Sequence, residues 1–199
     1  FDNVYQNYDF MNDIMSFGTH RLWKQEFVNS IEVKPEHNII DMSSGTGDIS
    51  NLILKKNSLQ KILRIEPNYN MLNHKISKFN KFKEVRHVCG YAETIPLKDC
   101  SYDSYIISFG LRNVTKIDNV LNEAFRVLKK GSGFYCLEFY KVDKPIISGF
   151  YKFYSKTIPF FGKLFNKNSS PYEYLVKSIE DFHSQNEIKK KLIKAGFTN

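Results

Sequence analysis

The run D-M-S-S-G-T-G-D, from Asp41 to Asp48, sets two carboxylates and three hydroxyls around two glycines. Gly45 and Gly47 carry no Cβ, so the backbone can turn sharply there and come close to a ligand. Ile39, Ile40 and Met42 lead into the turn, and a helix-like stretch from Asp48 to Lys55 leads out of it. A second apolar run then ends in Glu66, 21 residues after Gly45. One strand-helix-strand passage needs that distance, and it puts a carboxylate where ribose hydroxyls can donate to it. The amides opening the helix can meet a ligand carboxylate.

These residues leave three readings open. A dinucleotide prefers G-x-G-x-x-G/A, but the third small position here holds Ser50, and Asp48 in the first helical turn would repel a pyrophosphate. S-adenosylmethionine brings an amino-acid head whose ammonium suits acids such as Asp41 or Asp48. A helix-capping turn that holds no ligand is the third. An NAD-dependent oxidoreductase is disfavoured by the same turn chemistry.

Other reactive groups are sparse. Cys89, Cys100 and Cys136 are too few and too scattered for a disulfide framework or a zinc site, which fits a reducing compartment. Cys89 and Cys136 fall in apolar runs and are expected to be small core residues. No grouping of His, Cys and carboxylates has metal-ligand spacing. The formal charge of +8 comes mostly from lysines spread along the whole chain with acids between them. A nucleic-acid footprint would be a concentrated patch, so a lysine-rich solvated surface and no nucleic-acid partner are expected.

The elements that must position the turn follow in order. Ahead of it lies an aromatic-rich, helix-prone segment in which Thr19 could cap a helix carrying Leu22, Trp23, Phe27 and Ile31 on one side. Strands are expected at about 38–43, 61–66, 85–89, 105–109 and 134–139. Helices are expected at about 47–56, from Tyr69 to about Phe79, and behind a capping box at Thr115 to Asp118, with the last of these ending at Lys129-Lys130-Gly131. Strands alternating with helices predict a parallel, doubly wound α/β sheet. The rhythm breaks between Lys144 and Lys167, where aromatics crowd among lysines. That stretch could lie at a membrane interface, wall a pocket for a greasy substrate, or be a pair of packing helices. A final helix ends at Gly196. The sheet would then lack its usual last two strands, and the chain starts inside a structured-looking stretch, so a fragment is expected. At 199 residues, 42% apolar and 25% charged, one α/β domain is expected, and no apolar run reaches transmembrane length.

The pieces Y-D-F-M-N-D-I-M-S-F-G-T-H-R-L-W-K, D-M-S-S-G-T-G-D, A-E-T-I-P, I-S-F-G-L-R-N-V, R-V-L-K-K-G and P-Y-E-Y-L-V-K-S-I closely resemble the ubiquinone/menaquinone-biosynthesis C-methyltransferases. The resemblance spans almost the whole chain. It implies a Rossmann-like class I methyltransferase fold in one domain over 1–199. Residues 1–36 would be a helical cover, 37–140 the cofactor-binding core, and 141–180 a substrate- or membrane-side insertion. It implies S-adenosylmethionine as cofactor, S-adenosylhomocysteine as product, and methylation of a ring carbon of 2-methoxy-6-polyprenyl-1,4-benzoquinol, or of demethylmenaquinol in bacteria. The implied cofactor contacts are Thr46, Glu66 on the ribose, Tyr91 and Ala92 beside the adenine, and Ser108, alongside Asp41, Gly45 and Gly47 of the turn. Glu66 stands where the family more often has Asp, and Tyr91 where Asn or Asp is usual.

The catalytic residues expected are Arg112 and Asn113, because they follow the fourth strand at its carboxyl end, where ligands bind in open α/β sheets. Arg112 would stabilise a developing quinolate and Asn113 would orient its oxygen; a surface ion pair is the plain alternative for Arg112. Candidates for the base are His20, Asp48, Tyr5, Tyr8 or a water. Expected partners are the polyprenyl benzoquinol, a membrane met peripherally, and either a multisubunit ubiquinone-biosynthesis complex or a homodimer. The expected location is the matrix side of the mitochondrial inner membrane, with the bacterial cytoplasm as the alternative. The rival functions are a non-catalytic subunit that binds the cofactor and organises quinone enzymes, and a methyltransferase for another small phenol or for nucleic acid.

Overall fold

The computed structural model describes residues 16, 18–74, 76–141 and 170–198. The whole aromatic and lysine-rich stretch at 144–167, with Tyr5 and Tyr8, lies outside the described residues. In chain order the elements are α1 (His20–Ser30), β1 (Asn38–Met42), α2 (Asp48–Lys56), β2 (Lys61–Glu66), α3 (Tyr69–Asn73), a 3-10 turn (Ile76–Phe79), β3 (Val85–Cys89) and β4 (Tyr102–Ser108). A second 3-10 turn (Leu111–Asn113), α4 (Ile117–Val127), β5 (Leu128–Leu137), α5 (Ser170–Glu180) and α6 (Gln185–Ala195) follow. The five strands are all parallel in the order β3-β2-β1-β4-β5. The doubly wound architecture expected from the sequence is therefore present.

Successive side chains of a strand point to opposite faces, and here each face meets its own helices. Ile39, Ile62 and Ile106 turn toward Val28 and Ile31 at the end of α1 and toward Ile49, Ile53 and Leu54 of α2. Ile40, Met42, Ile65, Tyr105 and Ile107 turn the other way, onto Val120, Ala124 and Val127 of α4 and Ile188 of α6. Each fully buried Ile, Val or Leu contributes about 1.5–3 kcal/mol, so the two layers anchor β1 and β4 at the centre. The functional turns leave the carboxyl ends of these same two strands.

Several local expectations give way to tertiary contacts. The helix expected from Tyr69 to Phe79 stops at Asn73, with His74 extended, and the 3-10 turn then delivers Phe79 to the core. Strand β5 starts at Leu128, not Phe134, because Leu128 pairs with Tyr102; α4 therefore ends before Lys129. The Thr115 capping box is not made. The backbone N–H groups of Thr115 and Lys116 donate to Glu93 Oε1, so a carboxylate from a distant loop serves that helix end. On α1 the buried stripe is His20, Lys24 and Val28, while Leu22 is 67% and Trp23 40% exposed. Cys89 is exposed and Cys136 only half-buried. Thr19 makes no capping bond to the helix, whereas Gly196 ends α6 in the left-handed conformation, as its position predicts. Among the described residues no helix is long and apolar enough to cross a membrane.

Candidate functional site

Between β1 and α2 the chain passes through the left-handed region at Ser43, Gly45 and Gly47, with φ of 53°, 51° and 85°. At Gly47 only glycine fits, since a Cβ would stand 2.6 Å from the Phe79 ring and 2.7 Å from the Arg64 guanidinium carbon. Arg64 itself is fully buried. Its Nη2 donates to the Gly45 carbonyl at 2.8 Å, and its guanidinium lies over the Phe79 ring at 4.4 Å. Its Nη1 stands 3.2 Å from His87 Nδ1. Burial, then the Arg64 charge, pushes the His87 pKa down to about 4, so that ring is neutral at neutral pH. The glycine turn is thus held from behind by a cation.

In front of the turn lies a cavity of about 340 Å³, within the size range of small-molecule sites. Of the expected residues, Asp41, Gly45, Thr46, Glu66, Tyr91, Ala92, Ser108 and Asn113 line it. Gly47 does not; it serves the packing behind the turn. Glu66 Oε2 accepts from the Gly45 N–H at 2.9 Å and Oε1 from the Asn68 N–H at 3.0 Å. Burial raises its pKa above the usual carboxylate range against those two bonds. Asp41 is buried and accepts from both the hydroxyl and the N–H of Ser50 on α2. Burial raises its pKa, and Ser50 and Arg64 work against the rise. Asp41 therefore ties β1 to α2 and leaves Glu66 and Asp48 as the more accessible acids.

Burial opposes the Asp48 charge, yet Lys24 and its hydrogen bond hold that carboxyl below its ordinary value. Lys24 reaches from α1 to Asp48 Oδ2 at 2.8 Å, and both side chains line the cavity. The sequence reading missed Lys24; its signal was the i, i+4 relation to His20 and Val28 on the inward stripe. An acid held low is a weak acceptor for a phenolic proton, which counts against Asp48 as the base. His20 is buried beside Ser16 and does not line the cavity.

The second turn departs from expectation at Arg112. Phe109 leaves β4 with φ 54°, and Gly110 packs against Ser43 so closely that a Cβ would stand 2.5 Å from it. The 3-10 turn then aims Arg112 at Glu138, with only 6% and 0% of the two side chains exposed. Arg112 Nη1 also donates to the Phe109 carbonyl at 2.9 Å, and the Arg112 N–H donates to Glu138 Oε2 at 3.1 Å. The guanidinium is neutralised inside the fold and does not line the cavity. The ion pair is thus buried rather than the surface pair expected as the plain alternative, and the guanidinium faces Glu138 rather than the cavity from which it would meet a quinolate. Asn113 does face the cavity. Its amide donates to the Phe109 carbonyl at 3.3 Å and its oxygen accepts from Tyr174 at 3.0 Å.

The pocket chemistry fits an adenosyl amino acid. Ser44 Oγ and Ser108 Oγ are buried without a partner among the described residues, and both residues line the cavity. Glu66 offers acceptors for a diol, and Asp48 with Lys24 offers one charge of each sign. Tyr91, 68% exposed, stands at the rim with buried Ala92 beside it.

Comparison with known proteins points the same way. The family model described as the ubiE/COQ5 methyltransferase family matches residues 1–199. The chain is 43% identical over 205 residues to the ubiquinone/menaquinone biosynthesis C-methyltransferase UbiE of Rickettsia bellii, covering 99% of this chain and 82% of that protein. It is 45% identical over 206 residues to UbiE of Rickettsia felis, with the same coverage. Among solved structures, a SAM-dependent methyltransferase from Thermotoga maritima superposes with a TM-score of 0.65 at 24% identity, covering 100% of this chain and 80% of that one. One from Aquifex aeolicus gives 0.63 at 18% identity, covering 98% and 87%. These two likenesses speak to the fold.

Proposed function

The chain belongs to the ubiE/COQ5 methyltransferase family, and from that premise we propose how its site carries out the C-methylation of a quinol in ubiquinone/menaquinone biosynthesis. The protein is an S-adenosylmethionine-dependent C-methyltransferase. Its acceptor is taken to be 2-methoxy-6-polyprenyl-1,4-benzoquinol, or demethylmenaquinol where menaquinone is made. The observation that carries the site reading is the cavity at the tips of β1, β2 and β4, with Glu66, Asp48 and the Ser44 and Ser108 hydroxyls, unpartnered among the described residues, around it.

When bound, the cofactor supplies a methyl group already activated on a sulfonium. The protein's task is to align, to exclude water and to favour charge on the acceptor carbon. Glu66 accepts from the ribose hydroxyls. Tyr91 folds over the adenine by stacking, in place of a side-chain amide, and Ala92 and Ser108 complete that wall. Asn113, fixed by Phe109 and Tyr174, orients the acceptor oxygen. Holding both reactants in line supplies on the order of 7–11 kcal/mol. Loss of the quinol proton puts negative charge on the ortho carbon. A phenol of pKa about 10 needs a base at neutral pH; of the candidates, His20 does not line the cavity, Asp48 is held low by Lys24, and Tyr5 and Tyr8 lie outside the described residues. Arg112 acts as a positioning residue: through Glu138 and the Phe109 carbonyl it fixes the segment that carries Asn113.

The polyprenyl tail is assigned, on sequence grounds, to the 145–165 stretch and the residues ahead of α1, which would meet the membrane peripherally. The aqueous face of a quinone-bearing membrane is the proposed location, on the matrix side of a mitochondrion or the cytoplasmic side of a bacterium. Assembly into a biosynthetic complex or a homodimer belongs to the same proposal. Calorimetry with S-adenosylhomocysteine, followed by methyl-transfer assays on tailed benzoquinol and naphthoquinol acceptors, tests it. Saturable binding and a C-methylated product are expected. No binding overturns the site, and binding without turnover on either acceptor favours the non-catalytic subunit.

A further inference from the structure

Four acids line the cavity: Asp41, Asp48, Glu66 and Glu93. Three of them are committed at the glycine turn. Asp41 is bonded to Ser50, Asp48 to Lys24 and Thr46, and Glu66 to the Gly45 and Asn68 N–H groups. Glu93 stands apart from that turn, beside the acceptor-side segment whose Asn113, Val114 and Thr115 line the same cavity. Its Oε1 accepts from the Thr115 N–H at 2.8 Å and from the Lys116 N–H at 3.4 Å. Both bonds fall on one oxygen. They fix the orientation of the carboxylate, while Oε2 makes no hydrogen bond among the described residues. Serving the end of α4 takes one oxygen only, and here the other is left over at a cavity wall.

We infer that Glu93 is the base that takes the hydroxyl proton of the acceptor during methylation, with Oε2 as the receiving atom. The inference rests on the function proposed above and deepens it by naming the group that moves the proton. A free phenol is a far weaker acid than a carboxylic acid, so complete transfer ahead of the reaction is uphill. The demand changes as the ring carbon gains the methyl group. The electron pair of the broken carbon–sulfur bond stays on sulfur, the ring turns electron-poor, and its hydroxyl becomes strongly acidic. Transfer to Oε2 at that moment is downhill, and the O–H electron pair becomes the second bond of a carbonyl in a neutral dienone. The hydrogen on the methylated carbon then leaves to water, and its electron pair restores the aromatic ring. The carboxylic acid of Glu93 returns its proton to the carbonyl oxygen in the same step. One proton is released overall, and the carboxylate is regenerated.

The test compares Glu93→Gln with the unchanged protein in methyl-transfer assays on a tailed quinol and on its ring-fluorinated counterpart. Glutamine keeps an oxygen for the Thr115 and Lys116 amides but cannot carry the proton. Loss of a general base predicts a fall in kcat of about 100-fold or more on the ordinary quinol. Fluorine acidifies the hydroxyl, so that acceptor needs less help and the deficit should shrink. Calorimetry should find S-adenosylhomocysteine bound as tightly as before, and Glu93→Asp should recover part of the rate. Partial unfolding of a variant lowers both rates alike, so the difference between the two acceptors stays readable even if Glu93→Gln melts early. Deficits of equal size on the two acceptors overturn the proposal in favour of a helix cap alone. No deficit on either overturns it in favour of a water, and lost S-adenosylhomocysteine binding overturns it in favour of a cofactor contact. If the unchanged protein binds S-adenosylhomocysteine but methylates neither acceptor, the function reading fails and this inference fails with it.

Discussion

Two turns leave neighbouring strands and touch where Gly110 meets Ser43, and each is held by a buried arginine that donates to its backbone. Arg64 holds the Gly45 carbonyl, and Arg112 holds the Phe109 carbonyl. The difference lies in how the two charges are balanced. Arg112 has a dedicated carboxylate in Glu138. Among the described residues no carboxylate is within ion-pair distance of Arg64; burial lowers its pKa, while Asp41, Glu66 and Asp48 act on it from further off. Those acids border the cofactor cavity. The acceptor-side turn is therefore electrically closed, a rigid frame, whereas the cofactor-side turn shares its charge with the ligand site. A charge in the same role thus stiffens one turn and prepares the other for binding.

The sharpest way to break this comparison is to open the closed turn. Glu138→Leu leaves Arg112 buried and unpaired, which should cost about 3–5 kcal/mol in urea unfolding. The double change Arg112→Met with Glu138→Leu should recover most of that loss while turnover stays low because Asn113 is no longer fixed. A destabilisation that the double change does not relieve would mean the pair is not what frames the turn.

Next in size is Gly47→Ala. Left-handed strain of about 1–2 kcal/mol adds to overpacking of about 1–3 kcal/mol against Phe79 and Arg64. Gly131→Ala is the control, since its φ is 81° yet among the described residues nothing lies within 4 Å of its added Cβ; only the strain should appear there. Equal losses in unfolding for the two variants would show that Arg64 yields easily and does not hold the turn.

These charged supports were the least legible part of the sequence. The glycine turn, Glu66 and the strand pattern are local signals: Ile39 and Ile40 supply one residue to each face, and Gly196 stops α6 as its type suggests. Arg64, Glu138 and Lys24 announce themselves only as charges in or beside apolar runs, and their meaning depends on strands and helices far away in sequence. The Thr115 motif failed for the same reason, as Glu93 arrived across the fold to take the helix end. Arg112 was placed correctly at the carboxyl end of β4, but spacing cannot say which way a side chain turns after a left-handed Phe109.

On the open side, Glu66→Gln should weaken S-adenosylhomocysteine binding by about 10- to 100-fold, the loss of charge-assisted bonds to the ribose. Unfolding of the free protein should change little by comparison. If the binding loss does not exceed the change produced by an equally conservative substitution at Asn68, the ribose contact is elsewhere.

The smallest effect concerns pH, and its sign separates the two kinds of acid in the cofactor turn. Burial raises the Glu66 pKa in the folded state above the ordinary 4.5. Between 4.5 and that raised value the folded protein holds a proton that the unfolded chain has released. Stability therefore falls as pH rises through this window. Glu66→Gln removes that slope, so the variant should gain stability relative to the unchanged protein from pH 4.5 upward and then hold a constant advantage. Asp48 is the opposite case: its folded pKa is held below 3.8 by Lys24 despite burial, so its contribution is complete above 3.8 and is lost as pH falls through the lowered value. Asp48→Asn should accordingly flatten only the acid limb of the stability curve. Urea midpoints collected from pH 3 to 7 would expose both signs. Two variants moving the same limb in the same direction would mean that the acids of this turn are not divided into a strained one kept for the ligand and a paired one.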